Sequence, residues 1–410
     1  MIDHKENIPV KDWRWILVLA VIFYTAIVGV AGFFGSRTTS QHLLQFMGVP
    51  ALDHPFMDMR GVAAWCDAAA AGKNPAVEVT YITLPGEKPV RDFLMNYSPL
   101  VLTLGRFGLD QNHAQAWAIM LGLLYVASLW FLSRPCCLRK AFLWIILILS
   151  PASVMVVERG NLDMLLFALL VTALLVRKHP LLASAAILVA GLIKFFPIGA
   201  LLAIWREGGK RNRVAVILAG AIFATFLFFL RSRLGLIGTS LTGQYQSAFG
   251  CGVVADLLRH YGIIGDVNYG FIRGGLAAVG CLLLAISGMI GLLTSDTSAP
   301  RTLSDRMQYA FFLTAPLMLG LFVMGNQMDY KWIFFLPMVP AVLELFDSSD
   351  AIESGVSKIW FGGILAYSYW TFFSDEGSLR NALLKQAVMW VVMGTTAFLA
   401  GRLWKKEAAR

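Results

Sequence analysis

The chain has 410 residues, of which 58% are hydrophobic and only 14% are charged, and this composition excludes an ordinary soluble protein. A water-exposed surface needs roughly a quarter of its residues charged, so lipid must cover most of this surface. The net charge of +9 does not indicate nucleic-acid binding, because Lys and Arg occur in short clusters between apolar runs. The composition predicts a single integral membrane domain over residues 1–410.

Apolar runs sufficient for about twelve membrane helices follow one another along the chain. We predict helices near residues 15–34, 114–132, 141–157, 161–176, 181–193, 197–205, 214–230, 274–294, 309–325, 332–346, 358–373 and 382–403. The first run has no clear small-x-small cleavage site, so we predict a retained helix instead of a removed signal peptide. The predicted fold class is an all-α, polytopic transmembrane helical bundle.

A proline-containing break separates the runs at 181–193 and 197–205, each too short to cross a bilayer alone. The break consists of Lys194, Phe195, Phe196 and Pro197. Proline removes a backbone donor, and such breaks are tolerated at membrane depth only against protein or a wet cavity. The pattern predicts two half-length helices that meet beside a cavity.

Basic residues indicate how the chain crosses the membrane. Lys and Arg are concentrated at both termini and in short connections, such as those at Arg139, Arg206 and Arg306. The positive-inside rule places these parts in the cytoplasm, so we predict a multi-pass protein of the cytoplasmic (inner) membrane with both termini inside. The long segments 35–113 and 231–273 then lie outside, and short surface helices are predicted at 61–71 and 101–107.

The five cysteines have no spacing typical of a metal site. Whether Cys66 and Cys251 pair stays open, because sequence alone does not show proximity. The chain has no glycine-rich phosphate loop, no His-Glu-x-x-His motif and no carboxylate pair that suggests a metal. We therefore expect neither a metal nor a cofactor.

Ionisable side chains at the boundaries of membrane spans are functional candidates, because they are costly in lipid. The first group is Asp58 with Arg60, just before the predicted surface helix at 61–71. A carboxylate here could act as a general base toward a hydroxyl, or it could simply cap the helix start. Rival carboxylates in the same segment are Asp53, Asp67 and Asp92.

Two further groups mark places where the chain meets the membrane from the same predicted side. Asn96 and Tyr97 precede Ser98-Pro99, a pair that is also ordinary helix-initiation chemistry. Tyr97 also fits an aromatic residue of the membrane interface. Tyr330 and Lys331 lie at another outer boundary, where the lysine could snorkel to the surface without any function.

A tight turn between two apolar runs contains Glu158, Arg159, Asn161 and Asp163. Asn161 can cap the following helix, and Arg159 is within ion-pair reach of Asp163. The turn could satisfy itself, but its guanidinium could also bind a phosphate bidentately. Lys194 in the helix break needs an anionic partner at its depth, which could be a carboxylate or the phosphate of a ligand.

The order of these motifs carries a family resemblance. The motifs are Asp58, Gly72-Lys73-Asn74-Pro75, Asn96-Tyr97-Ser98-Pro99-Leu100, Arg159-Gly160-Asn161 with Asp163, and Lys194-Phe195-Phe196-Pro197. Over roughly residues 14–345, the chain resembles the GT-C glycosyltransferases that use polyprenyl-phosphate sugars, specifically glycosyltransferase family 87. The mannosyltransferase of GPI-anchor assembly is a more distant likeness. Pro85-Gly86-Glu87 and the region 243–269 depart from the family pattern, which leaves the acceptor open.

The resemblance implies a GT-C-like bundle that transfers a hexose, with mannose as the first candidate. The donor would be a polyprenyl-phosphate sugar, and the acceptor would be a hydroxyl of a lipid or glycan on the outer face. In such enzymes an acidic residue of the first outer loop is the catalytic base, a role the resemblance carries onto Asp58. It further implies an inverting, metal-independent reaction.

The resemblance also suggests which residues contact each substrate. It implies donor contacts for Arg159, Asn161 and Lys194, and more weakly for Lys331. We expect the same role for Tyr97 and Asp163. Support of the acceptor or of the loop is expected for Arg60, Asn96, Glu158 and Tyr330.

Two other functional classes remain open. A broken helix with a charge near the midplane is also typical of secondary transporters, or of flippases for lipid-linked substrates. The sequence has no inverted repeat, and we predict no second broken segment in its later half. A structural or assembly protein is less favoured, because the polar groups converge on one side.

Overall fold

The structure is a computed structural model. It describes residues 54–83, 88–91, 97–132, 137–237, 248–295, 303–324, 327–370 and 378–408, with residue 95 and a few positions between 42 and 49. The predicted first helix at 15–34 lies outside the described residues. So do Asp53, Asp92 and Asn96, together with the side chain of Tyr330.

The described chain is almost entirely helical. The helices are α1 (Met57–Ala70), α2 (Ala114–Leu132), α3 (Leu138–Ile148), α4 (Pro151–Glu158), α5 (Asp163–Leu175), α6 (Pro180–Ile193), α7 (Leu201–Arg206), α8 (Lys210–Ile237), α9 (Cys251–His260), α10 (Asp266–Thr294), α11 (Asp305–Met324), α12 (Val339–Leu345), α13 (Ala351–Ser368) and α14 (Leu379–Ala408). The 3₁₀ segments are Pro99–Phe107, Phe196–Ala200 and Asp329–Met338. Two antiparallel pairs of short strands complete it: β1 (Tyr81–Ile82) with β2 (Val90–Arg91), and β3 (Ala248–Phe249) with β4 (Gln327–Met328).

The chain is a multi-pass helical membrane protein. Within the described ranges, α2, α8, α10, α11 and α14 are each long and apolar enough to cross a bilayer. The prediction of about twelve spans is not confirmed in this part of the chain, where α5 and α6 have only 13 and 14 residues. A straight crossing needs about 20 residues. Up to six spans result if α3 and α4 form one bent crossing.

Several predicted helices are interrupted where proline stands. The prediction of one helix over 141–157 is wrong, because α3 and α4 are bent by 50° at a break just before Pro151. The break at Lys194 is confirmed: α6 ends at Ile193, and the 3₁₀ segment that follows contains Pro197. The prediction of no second break is wrong, since the run near 332–346 begins as a 3₁₀ segment containing Pro337.

The second long segment, 231–273, contains more helix than its sequence suggests. Helix α8 continues to Ile237, α9 lies entirely within the segment, and α10 already starts at Asp266. The strand pairing of β3 with β4 then connects this segment to the chain just before Lys331. The strand pair therefore holds the segment 231–273 against the chain that leads to the candidate residue Lys331.

Glycines allow α10 and α14 to approach closely. A Cβ atom on Gly291 would lie 2.1 Å from the carbonyl oxygen of Phe398, and one on Gly401 would lie 2.1 Å from that of Gly288. Nearby, the Ser287 hydroxyl donates to the Gly394 carbonyl at 2.8 Å. Small residues at a helix interface permit such backbone contact in a membrane, where dispersion and hydrogen bonds drive association.

Basic side chains are engaged at the end of the bundle away from the α4–α5 turn. Arg402 is only 1% exposed and pairs with Asp350 and Glu353. Lys140 pairs with Glu344 at 2.8 Å, and Arg206 donates to the Leu403 carbonyl at 3.1 Å. These basic residues are therefore held by specific contacts with carboxylates and a backbone carbonyl.

Helix α1 is joined end to end with α4. The Phe56 N–H donates to the Glu158 carbonyl at 2.7 Å, and the Asp58 N–H donates to the Arg159 carbonyl at 3.0 Å. Helix starts leave N–H groups unsatisfied and helix ends leave carbonyls unsatisfied, so each end supplies what the other lacks. The next residue, Gly160, has a positive φ of 62°.

Gly160 is closely surrounded at this joint. A Cβ atom on Gly160 would lie 2.8 Å from the Cβ of Ala118, and 3.2 Å from the Cβ atoms of Met59 and Phe56. Glycine is thus required at position 160 for two reasons. Its backbone tolerates the positive φ, and its lack of a side chain permits the close approach of α1, α2 and the α4–α5 turn.

Gly160→Ala is expected to lower the stability of the purified protein by about 3 kcal/mol, because strain at positive φ adds to overpacking. Gly108→Ala is the matched control, since Gly108 also has a positive φ but has no atom within 4 Å of its added Cβ. It should cost about 1 kcal/mol. Thermal unfolding in detergent measures both, and equal losses would contradict the close approach.

The cysteine pairing left open by the sequence is not formed. Cys66 and Cys251 are both buried free thiols. Burial raises the pKa of the Cys66 thiol to about 11, and its neighbour across the helix contact is Gly105. Cys66 therefore serves as a small apolar residue between α1 and the 3₁₀ segment Pro99–Phe107.

Candidate functional site

Asp58 lies in the first turn of α1, but it does not cap that helix. The residue at the cap position is Phe56, in the left-handed region with φ 64°, and it makes no side-chain cap hydrogen bond. The Asp58 carboxylate instead accepts a hydrogen bond at its Oδ2 from the Nδ2 of Asn161, at 2.5 Å. The side chain is therefore directed across the joint toward the α4–α5 turn.

Asn161 is held by two donors on its other side. Its Oδ1 accepts from the backbone N–H of Asp163 at 2.8 Å, and Asn161 stands one residue before Leu162, which occupies the cap position of α5. The same Oδ1 accepts from the Nζ of Lys194 at 3.4 Å. One amide thus connects a carboxylate in the first loop with an ammonium in the helix break.

Lys194 has a carboxylate partner in the chain itself. Its Nζ lies 2.7 Å from the Oδ1 of Asp163, and the two side chains are 12% and 0% exposed. The second oxygen of Asp163, Oδ2, is buried with no hydrogen-bond partner among the described residues. The expectation that a cation at this depth needs an anion is confirmed, and the anion is Asp163.

Tyr97 forms the wall beside this ion pair. The Lys194 Nζ lies 4.2 Å from the centre of the Tyr97 ring, which in turn packs 5.5 Å from the Trp65 ring of α1. Tyr97 is buried, so it does not stand at the interface as a lipid-facing aromatic. A cation over an aromatic face gains about 1 kcal/mol or more once water is excluded.

Ser98 and Pro99 do initiate the 3₁₀ segment, as predicted. The Ser98 hydroxyl oxygen accepts from the Leu100 N–H at 3.2 Å. The Ser98 N–H donates to the Ile193 carbonyl at 3.4 Å, at the end of α6. The same turn therefore starts one segment and anchors the helix that ends before Lys194.

Arg159 pairs with the residue that precedes it in the turn. Its Nε lies 3.1 Å from the Oε2 of Glu158, and both side chains are largely buried. The sequence suggested an ion pair between Arg159 and Asp163, whereas the geometry pairs Arg159 with Glu158 and Asp163 with Lys194.

Lys331 approaches the same group from the later half of the chain. Its Nζ lies 5.1 Å from the centre of the Phe196 ring, in the segment after the helix break. Burial lowers the pKa of Lys331 to about 7; the charge of Asp163 opposes this shift, and that of Lys194 adds to it. An anion bound beside Lys331 would favour its ammonium form.

The environment of Asp58 adjusts its basicity. Burial raises the pKa of this carboxyl, while the charge of Arg159 and the hydrogen bond from Asn161 lower it. Lys194 lowers it further and Asp163 raises it. A carboxylate with a raised pKa accepts a proton more readily than an ordinary aspartate does.

Most of the predicted residues that the structure describes meet in one place, and some do not. Asp58, Tyr97, Arg159, Asn161, Asp163, Lys194 and Lys331 form the group, which we call the polar cluster, with Glu158 at its edge. Arg60 is directed away, since its Nε donates to the Pro55 carbonyl at 3.4 Å. The rival carboxylate Asp67 instead accepts from the Gln111 N–H at 3.2 Å, near the other end of α1.

Sequence reasoning missed a buried cation in the last helix. Lys385 of α14 is 2% exposed, and its Nζ lies 5.0 Å from the centre of the Tyr367 ring. The adjacent Gln386 donates to the Ala248 carbonyl of β3 at 2.8 Å. The signal was present in the sequence, because Lys385-Gln386 directly precedes the long apolar run of α14.

A second polar group was also missed, in the region 243–269 that matches no family motif. The Tyr269 hydroxyl donates to the buried Asp256, and Arg273 donates to that hydroxyl at 2.9 Å. Arg259 pairs with Asp266 at 2.7 Å and lies over the same Tyr269 ring. These contacts connect α9 to α10. Each of the two arginines and each of the two aspartates in this group takes part in at least one of them.

Within the described ranges, no three His, Cys, Asp or Glu side chains come together in a way that would hold a metal ion. In comparisons with known proteins, no family model, curated protein or solved structure matches this chain. A fold alone does not determine function, so the activity has to be argued from the site.

Replacing Lys194 with Met is expected to destabilise the protein by about 3 kcal/mol or more, because the buried Asp163 loses its counter-ion. Adding Asp163→Leu should restore part of that loss, since the remaining charge is then removed as well. Thermal unfolding in detergent measures both variants.

The control is the exposed pair Arg259 and Asp266, whose side chains are 46% and 80% exposed. Asp266→Asn should change stability by less than about 1 kcal/mol. If adding Asp163→Leu to Lys194→Met lowered the stability further, by as much as the loss of a second buried group costs, then Lys194 and Asp163 would not act as a pair.

Proposed function

We propose that the protein is a membrane glycosyltransferase of the GT-C type. It transfers a hexose, with mannose as the first candidate, from a polyprenyl-phosphate donor to a hydroxyl of a lipid or glycan. The reaction takes place on the outer face of the cytoplasmic membrane, and both termini are inside. The proposal joins the resemblance in the motifs to the chemistry of the polar cluster.

The observation that carries the proposal is the division of the polar cluster into two halves of opposite charge. On one side of Asn161 is the Asp58 carboxylate, with Arg159 already engaged by Glu158. On the other side, Lys194 pairs with Asp163 at 2.7 Å, and the charge of Asp163 also acts on Lys331. The half with Asp58 is therefore suited to accept a proton, and the half with Lys194 and Lys331 is suited to bind an anion.

The positive half suits the phosphate of the donor. With Lys331 in its ammonium form, the two lysines and Asp163 carry one net positive charge, which a phosphate diester would neutralise. As the bond between sugar and phosphate breaks, negative charge grows on the leaving phosphate, and fixed cations stabilise it. Phe196 and Tyr97 border this half and limit the access of water.

The negative half suits the acceptor. The acceptor oxygen attacks the anomeric carbon of the sugar, the bond from that carbon to the phosphate oxygen breaks, and polyprenyl phosphate departs. Asp58 takes the proton of the attacking hydroxyl during this step. Attack from the face opposite the leaving group inverts the anomeric centre, and no metal is needed for any part of it.

A transporter is the second candidate, and one observation favours it. Two broken segments, one at Lys194 and one at Asp329–Met338, both border the polar cluster. Discontinuous helices around charged groups are typical of secondary transporters and flippases. Uptake of labelled sugar into proteoliposomes, without transfer to any acceptor, would favour this second function.

Asp58→Asn is expected to lower the rate of hexose transfer by about 100-fold or more, because the amide cannot accept the proton. The assay follows label from polyprenyl-phosphate mannose into lipid extract by the purified protein in vesicles. Asp67→Asn is the matched control on the same helix and should retain transfer, since Asp67 only accepts from the backbone of Gln111. Full transfer by Asp58→Asn would rule out this base.

Transfer is expected to fall as the pH is lowered, and to do so at a higher pH than an ordinary aspartate would cause. The pKa of Asp58 is raised by burial, so the carboxylate is protonated, and the base lost, earlier in an acid titration. The initial rate at saturating donor, measured between mildly acidic and neutral pH, tests this. A rate that does not change over that range would contradict a base with a raised pKa.

A further inference from the structure

The amide of Asn161 can adopt only one orientation in its surroundings. Its Oδ1 accepts from the backbone N–H of Asp163 at 2.8 Å, and a backbone N–H can only donate. The ammonium of Lys194, 3.4 Å from the same oxygen, can also only donate. A flipped amide would place its NH₂ group against both donors, so the observed orientation is required.

This orientation has a consequence for Asp58. With Oδ1 turned toward α5 and the helix break, Nδ2 has to point toward the first loop, where it meets the Asp58 carboxylate at 2.5 Å. A donor at this distance stabilises the ionised carboxylate and restricts its rotation. The carboxyl oxygen that faces the acceptor is thereby placed by a residue on another helix.

We propose that Asn161 is a positioning residue, which directs the Asp58 carboxylate and keeps it ionised, and does not contact the donor. The inference rests on the proposed function, because it assigns how the base of that reaction is held. It replaces the donor contact that the family resemblance implies for Asn161. Its polar atoms already have partners inside the chain: Asp58, Asp163 and Lys194.

Other charged groups around Asp58 do not provide the same control. Arg159 and Lys194 act on it through their charge, and each is itself paired, with Glu158 and Asp163 respectively. Both of these cations would also respond to a bound phosphate. The Asn161 amide is neutral, so it holds Asp58 in the same way before and after the donor binds.

The test compares two substitutions at Asn161. Asn161→Ala removes every contact of the amide. Asn161→Ser keeps an oxygen that can accept from the Asp163 N–H, but its side chain is too short to reach Asp58. The serine variant therefore preserves the start of α5 and removes only the hydrogen bond in question.

Infrared spectroscopy in ²H₂O measures the protonation of Asp58 without any turnover. The band of the protonated carboxyl is followed against pH in the purified protein and is assigned by its loss in Asp58→Asn. In both Asn161 variants the titration midpoint should move upward by about one pH unit, as expected for the loss of a hydrogen bond to a charged group. Tyr125→Phe, which removes a buried 2.9 Å hydrogen bond to Ser153 elsewhere, should leave the midpoint unchanged.

Transfer assays complete the test. The acid limb of the pH–rate profile should shift by the same amount in both variants, with the KM for the donor unchanged. An unshifted midpoint, or a raised KM for the donor with an unshifted profile, would overturn the positioning role while leaving hexose transfer intact. If the midpoint shifts in the Asn161 variants but the wild-type protein transfers no hexose, the proposed function is refuted and the hydrogen-bond geometry is retained.

Discussion

The joint between the start of α1 and the end of α4 is the contact on which the candidate site depends. The backbone N–H groups of Phe56, Asp58 and Met59 donate to the carbonyls of Glu158 and Arg159. In lipid, an unsatisfied backbone group costs several kcal/mol, so complementary helix ends have a strong reason to meet. The joint sets Asp58 against Asn161 by main-chain contacts and does not rely on the path of the long first loop.

Charge balance is the second constraint on the site. Three cations, Arg159, Lys194 and Lys331, face three carboxylates, but they are not evenly mixed. Pairing inside the chain makes the cluster tolerable at the edge of a membrane, because an isolated buried charge would be expelled or neutralised. The Asn161 amide separates the two signs, with the Asp58 carboxylate at its Nδ2 and the Lys194 ammonium at its Oδ1.

The apolar runs and the proline positions predicted much of the helical framework. Helix α2 matches the predicted run at 114–132, and the break at Lys194 follows from Pro197. The bend before Pro151 was missed because the apolar run around it was interpreted as one helix, although a proline inside a helix removes a hydrogen bond and bends the chain. The helical extension of α10 back to Asp266 was missed because its first turns are polar and glycine-rich.

The candidate residues could be identified from their position at span boundaries, but their partners could not. Asp58 and Asn161 are 103 residues apart in sequence, and Lys194 and Asp163 are 31 apart. No periodic pattern encodes contacts of that length. The reading of Asp58 as a helix cap was locally reasonable, and it fails because the carbonyls of α4 already accept the first N–H groups of α1.

The ion pair between Asp163 and Lys194 has a consequence for how the protein is made. Asp163 opens α5 and Lys194 follows α6, so both charges lie at the same, open end of one helical hairpin. The two helices leave the ribosome one after the other, and the carboxylate precedes its ammonium partner. The open end of the hairpin can therefore enter the bilayer as an electrically neutral pair, although each of its helices alone is short and carries a charge at that end.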